Sequence, residues 1–180
     1  MFLFDKSFKE VFGSELLSII GGLIAGTILA VYTDKILIIP GIFILLPGFL
    51  EMKNSISGSL TARLSAGLHL GLIKVNKRKT KLVHRNVTAA FLLAAMVSLL
   101  LGLVTFGFNL FIFHIYMPKI ILVPIIAGII ANTIEIPITV LCTFYLFKRG
   151  YDPDYIMGPF VTSMGDILSV VALLIAVMII

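Results

Sequence analysis

Residues 89–113 read AAFLLAAMVSLLLGLVTFGFNLFIF and contain no charged side chain. A helix that crosses a bilayer needs roughly 20 mostly apolar residues, so this run predicts a transmembrane helix. The rest of the chain has the same character, because 59% of its residues are hydrophobic and only 13% are charged. One soluble core could not bury so much apolar surface, whereas lipid accepts it.

Four further apolar stretches accompany this run. The expected spans are residues 14–32, 36–73, 88–113, 120–147 and 155–180. The second is too long for one straight span, since a continuous helix would reach about 57 Å against a hydrocarbon core of about 30 Å. We therefore expect it to be kinked or broken, with Pro40 and Pro47 as bending points. The sequence predicts an all-α membrane protein, a bundle of five transmembrane helices that forms a single domain over residues 1–180.

Basic residues predict the orientation of this bundle. The loop after the second stretch carries the densest cluster, formed by Lys74, Lys77, Arg78, Lys79, Lys81 and Arg85. Cytoplasmic loops are enriched in Lys and Arg, so this loop and the N-terminus should be cytoplasmic and the C-terminus should lie outside. We expect a multi-pass protein of the cell membrane, in contact with the lipid bilayer. Because the net charge of +5 comes from short loops, nucleic acid is not an expected partner.

Polar residues inside the apolar stretches are the candidate functional residues, because ionisable groups at membrane depth are costly. Asp166 lies about 17 Å along the last span, near its middle, and shares a helix face with Thr162. Ser163 adjoins this face. The alternative is a protonated or internally paired Asp166 that only helps the helices to pack.

Two other spans carry similar stripes. In the fourth, Asn132 and Glu135 lie on one side, and Pro137 frees a backbone carbonyl one turn earlier. In the second, Glu51 and Asn54 share a side. A polar contact between helices is the alternative for the fourth span, and a position at the membrane interface is the alternative for Glu51.

The oxygen-only chemistry of these residues points to a hard cation. Carboxylates, amides and hydroxyls suit Mg²⁺, Ca²⁺ or Mn²⁺ better than Zn²⁺ or Cu²⁺. Cys142 is the only cysteine, and the three histidines are scattered. Mg²⁺ releases its waters reluctantly, so we expect a wide pathway whose carboxylates hold the hydrated ion. The chain contains no hydrolase or phosphate-loop motif, so we expect a transporter and not an enzyme.

Two segments resemble the membrane domain of the MgtE magnesium channels and their solute-carrier relatives. Residues 46–65, LPGFLEMKNSISGSLTARLS, are similar to that family's second-helix signature. Residues 150–166, GYDPDYIMGPFVTSMGD, are similar to its last-helix signature and lie closest to the solute-carrier branch. The five spans and the cytoplasmic N-terminus also match.

The resemblance implies a homodimer with a Mg²⁺ pathway near the dimer axis. It also implies that Asp166 holds the hydrated ion, with Asn54 and, less directly, Glu51 near the family's polar second-helix positions. We expect two departures from the family: no cytosolic regulatory domains like those of the bacterial channels, and one membrane domain where the solute carriers have two.

Two other functions stay open. A carrier that exchanges a divalent cation for Na⁺ or H⁺ would also use a broken helix and a polar midplane site. A membrane scaffold or assembly subunit, which transports nothing, would bury its polar stripes against one another without a water-filled path.

Overall fold

A computed structural model describes residues 6–75 and 80–180, and all regular structure in these residues is helical. The elements are α1 (Lys6–Val31), α2 (Thr33–Ile36), α3 (Ile42–His69), α4 (Lys81–Ile112), a 3-10 turn (Pro118–Ile121), α5 (Leu122–Lys148) and α6 (Pro153–Ile179). The prediction of an all-helical membrane protein is therefore confirmed for the described residues. The predicted basic loop lies partly outside them, since Lys77, Arg78 and Lys79 fall between the two ranges.

Four of these helices are long and apolar enough to cross a membrane: Phe8–Val31 within α1, all of α4, the 3-10 turn together with α5, and all of α6. In the described part of the chain, α3 is the long helix that is not among them. Its interior carries the charged residues Glu51, Lys53 and Arg63, which make it more polar than the others. Helix α1 begins at Lys6, earlier than the predicted start at residue 14. The sequence did not reveal its first turns because they mix charged and apolar residues.

The predicted second span, residues 36–73, is not one continuous helix. It includes the end of α2, a turn that contains Gly41, whose φ is +83°, and all of α3. The Asn109 side chain from α4 donates a hydrogen bond of 2.8 Å to the carbonyl of Pro40, which anchors the turn. Pro47, the second expected bending point, lies inside α3. A left-handed glycine therefore separates the two helices.

Local signals in the sequence explain where α4 and α6 begin. The Thr80 hydroxyl accepts a hydrogen bond of 3.3 Å from the backbone N–H of Val83. Before α6, the Asp152 carboxylate accepts one of 3.0 Å from the backbone N–H of Asp154, and Pro153 occupies the first helical position. Both arrangements satisfy N–H groups that the helix itself leaves unpaired.

The helices pack around α3. It contacts α4, α5 and α6, and α5 packs on both α4 and α6. By contrast, α1 packs mainly on the outer side of α6 and leaves most of its apolar residues exposed, as α4 also does. Exposed leucine, isoleucine and phenylalanine side chains on these two helices suit contact with lipid. The junction of α3, α5 and α6 is consequently the part of the bundle best shielded from lipid.

Candidate functional site

The centre of the α3–α5–α6 junction is a buried ion pair. The Lys53 ammonium of α3 pairs with Oε2 of Glu135 on α5, and both side chains are fully buried. The Ser57 hydroxyl, one turn after Lys53, donates a hydrogen bond of 2.6 Å to Oε1 of the same carboxylate. Both oxygens of Glu135 therefore have partners within the protein.

Asp166 lies beside this pair and is held by α3. The Asn54 side chain of α3 lies near the Asp166 carboxylate, and Oδ1 of Asn54 is buried without a hydrogen-bond partner among the described residues. Asp166 is half-buried, so it is neither sealed in the junction nor fully open. The partly exposed group that a ligand can reach here is thus the Asp166 carboxylate.

A glycine allows this close approach of the three helices. A Cβ atom added at Gly165 would lie 3.2 Å from Oδ1 of Asn54 and 3.2 Å from Oε1 of Glu135. Contacts this short force the neighbouring groups to move apart. The absence of a side chain at this position therefore lets the polar groups of α3 and α5 reach the backbone of α6, immediately before Asp166.

A polar, partly exposed face continues from Asn54 along α3. Glu51 and Ser55 are exposed, and the Ser55 hydroxyl donates a 3.2 Å hydrogen bond to Glu51. Gly58 faces open space. On α6, the half-buried Thr162 donates to the carbonyl of Gly158 in its own helix, at 3.1 Å. These residues provide oxygen atoms on the two helices that hold Asp166.

Two predicted site residues lie elsewhere. Asn132 is buried between α4 and α5, donates a 2.7 Å hydrogen bond to the carbonyl of Gly128, and lines a cavity of about 340 Å³. Ser163 packs against Gly21 of α1. The structure therefore brings Asn54, Glu135 and Asp166 together and separates Asn132 and Ser163 from them.

Sequence analysis missed Lys53 and Ser57. A signal for Lys53 was present, because a lysine and a glutamate that both fall within apolar stretches are expected to pair. The spacing of Lys53 and Ser57 then places the hydroxyl on the same helix face as the ammonium. What the sequence left undetermined was which face of α3 meets α5.

A second polar group lies at the ends of α3 and α6. His69 Nε2 is 3.4 Å from Oδ1 of Asp152, and the ligand atoms of His69, Asp152 and Asp154 all lie within 4.8 Å of one another. His69 also contacts the Phe147 ring edge to face. The Asp152 carboxylate already caps α6. Since His69 and Asp154 are exposed, this group belongs to the surface of the bundle and not to the junction.

Long apolar helices that enclose a paired lysine, two carboxylates and an amide define a multi-pass membrane protein with a polar interior. The comparison with known families then identifies it. The family model MgtE, described as a divalent cation transporter, matches residues 46–176, and the chain belongs to this family. Solute carrier family 41 member 2 of Gallus gallus is 26% identical over 168 residues, which cover 88% of this chain and 29% of that protein.

This membership confirms the resemblance found in the two signature segments. The matched region contains α5 and nearly all of α3 and α6, and with them every residue of the junction. The matching family model carries the description of a divalent cation transporter. The chain spans less than a third of the length of the avian relative.

Proposed function

We propose that the protein carries Mg²⁺ across the cell membrane as a homodimer, with Asp166 holding the hydrated ion and the Asn54 amide beside it. The observation that supports this proposal best is the position of Asp166, which is half-buried and lies near the Asn54 amide. A carboxylate packed only against lipid, or closed inside a dry cluster, would be a poor ion site. Here one carboxylate adjoins a partly exposed polar face.

One carboxylate can suffice to bind Mg²⁺ because the ion keeps most of its hydration shell. Mg²⁺ usually keeps several of its waters and binds through one or two carboxylates. Asp166 is half-buried and can accept hydrogen bonds from those waters, with the Asn54 amide beside it. Glu51 and Thr162 would contact the hydrated ion farther along the same face. Glu135, which already has Lys53 and Ser57 as partners, supports the site from behind.

The exposed polar face of α3 favours a second copy as its cover. Glu51 and Ser55 are exposed although they belong to a helix in the middle of the bundle. Polar and acidic groups at membrane depth face a bundle interior or a water-filled cavity and avoid lipid. Two such faces turned toward each other would enclose a shared pathway. In this arrangement α1, α3, α4, α5 and α6 cross the membrane, with the N-terminus in the cytoplasm and the C-terminus outside.

The membrane potential would drive entry through such a pathway. Moving one charge across 100 mV is worth about 2.3 kcal/mol, which gives about 4.6 kcal/mol for Mg²⁺. A channel needs no other energy source. An exchanger would instead require an opposing gradient of Na⁺ or H⁺, and flux measured with and without each gradient separates the two mechanisms.

The test is Mg²⁺ flux into proteoliposomes that contain the purified protein or Asp166→Asn. Because the substitution removes the charge and keeps the shape, we expect flux to fall about tenfold or more, equivalent to about 1.4 kcal/mol. Asp154→Asn is the matched control, since Asp154 is exposed in the first turn of the same helix. Undiminished flux in folded Asp166→Asn would refute the role of Asp166, and equal losses in both variants would point to a general effect of charge on α6.

A further inference from the structure

Lys53 has no assigned role in the proposed pathway, yet it is the most unusual residue of the junction. Its side chain is fully buried in a helix at the middle of the bundle, as is that of its partner Glu135. A buried ion pair is weak evidence for stability, because apolar residues of similar size often stabilise a protein as well or better. In a membrane interior the two charges are still more costly. The pair therefore calls for a functional explanation.

The pair lies directly behind the proposed ion site. Lys53 and Asn54 are adjacent in α3, yet the first pairs with Glu135 and the second lies near Asp166. Oε1 of Glu135 lies 3.2 Å from the position of a Cβ atom on Gly165, the residue before Asp166. A charge on Glu135 is thus close enough to act on an ion held by Asp166.

We infer that Lys53 is a specificity-determining residue, which neutralises Glu135 so that the junction presents Asp166 as its single uncompensated carboxylate. The inference rests on the proposed function. With Glu135 neutralised, a hydrated Mg²⁺ meets one carboxylate and keeps its waters. If Glu135 were left bare, the junction would offer two carboxylates, which suits Ca²⁺, since Ca²⁺ takes more oxygen ligands and accepts more flexible geometry.

The inference makes a charge-dependent prediction for three variants. Lys53→Met removes a positive charge and makes the net charge of the junction more negative by one unit. Glu135→Gln removes a negative charge and makes it more positive by one unit. The double variant has the same net charge as the native junction. We expect the Mg²⁺ concentration for half-maximal flux to fall about threefold or more in Lys53→Met and to rise about threefold or more in Glu135→Gln. The double variant should match the native protein. Lys53→Met should also raise the flux of Ca²⁺ relative to that of Mg²⁺.

Each variant is first checked for native helical content by circular dichroism and for native elution volume by size-exclusion chromatography. Its flux is then measured in proteoliposomes. Lys53→Arg keeps the charge and serves as the conservative control, which should preserve the native half-saturation and ion preference. A purely structural pair would behave differently, because both single variants would then lose maximal flux without opposite shifts in half-saturation. That pattern would overturn the inference.

The double variant can overturn the inference even if the single variants fold poorly, because it leaves no unpaired buried charge. A folded double variant with altered Mg²⁺ half-saturation or ion preference would overturn the inference. Asp166→Asn keeps this result distinct from the proposed function: full flux in Asp166→Asn refutes the pathway itself, whereas lost flux in Asp166→Asn together with an altered double variant refutes only the role of Lys53.

Discussion

The Ser57 hydroxyl is the smallest group whose removal should disturb the junction. It donates a 2.6 Å hydrogen bond to Glu135, and both side chains are fully buried. In Ser57→Ala, one oxygen of this fully buried carboxylate loses its hydrogen-bond donor. Hydrogen bonds between transmembrane helices average about 0.6 kcal/mol and reach about 1.7 kcal/mol. Because this bond is to an ionised group, we expect a loss of about 1.5 kcal/mol in unfolding free energy, measured by SDS titration in mixed micelles.

Ser55→Ala provides the control for this measurement. Ser55 lies on the same helix, and its hydroxyl also donates to a carboxylate, Glu51, at 3.2 Å. Both of these groups are exposed, so the bond competes with solvent. The stability of Ser55→Ala should stay close to the native value. Equal losses in the two variants would contradict the importance of burial.

At the same scale, the sequence identified acidic and amide residues but not their partners. Asp166, Glu135 and Asn54 were predictable because a polar group at membrane depth has few explanations. The helical repeat also shows which residues share a face. It does not show which neighbour that face meets, because this depends on the rotation of α3 against α5. For that reason the ion pair between Lys53 and Glu135 could be identified only from the structure.

At the scale of the element, α6 depends on a glycine to approach α3 and α5. In Gly165→Ala the new methyl group would lie 3.2 Å from both Asn54 and Glu135. Overpacking of this kind costs about 1–3 kcal/mol, and it would push Asn54 away from Asp166. We expect Gly165→Ala to lower Mg²⁺ flux in proteoliposomes. Its unfolding free energy, measured by SDS titration, should fall only slightly.

Gly158→Ala tests the same substitution two turns earlier in α6. Apart from its chain neighbours, a Cβ atom there meets open space. Alanine is favoured over glycine inside a helix by about 1 kcal/mol, but a Cβ directly before Pro159 opposes the helical conformation, so the stability of this variant should stay close to the native value. Loss of flux in Gly158→Ala comparable to that in Gly165→Ala would show that helix stiffness, and not space at the junction, limits transport.

The boundaries of the elements were predictable where turn chemistry is explicit. The capping of α6 by Asp152 and Pro153 is a local signal that any similar sequence would carry. The break before α3 was less certain from sequence, because either proline of the second stretch could have interrupted it. The chain breaks at Gly41, where Asn109 of α4 binds the Pro40 carbonyl. That contact joins residues far apart in sequence, which helical periodicity cannot reveal.

For the whole molecule, the proposed pathway requires that α3 crosses the membrane. Among the long helices of the described residues, α3 is the one that is not apolar enough to count as a membrane span, because its interior contains charged residues. Those residues do not prevent crossing if they face the junction and the pathway. Lys53 is fully buried, so lipid does not have to solvate its charge. We therefore expect the two ends of α3 to lie on opposite sides of the membrane.

Cysteine labelling in sealed vesicles of known orientation tests this expectation. In a Cys142→Ala background, which removes the only native thiol, single cysteines replace Asp34 before α3 or Lys74 after it. Both native side chains are exposed in the structure. In vesicles whose outer surface corresponds to the outside of the cell, a membrane-impermeant maleimide added to the medium should label Asp34→Cys. It should label Lys74→Cys only after the vesicles are opened. Labelling of both from the same side would mean that α3 does not span the bilayer, and Asp166 would then lack a transmembrane partner in α3.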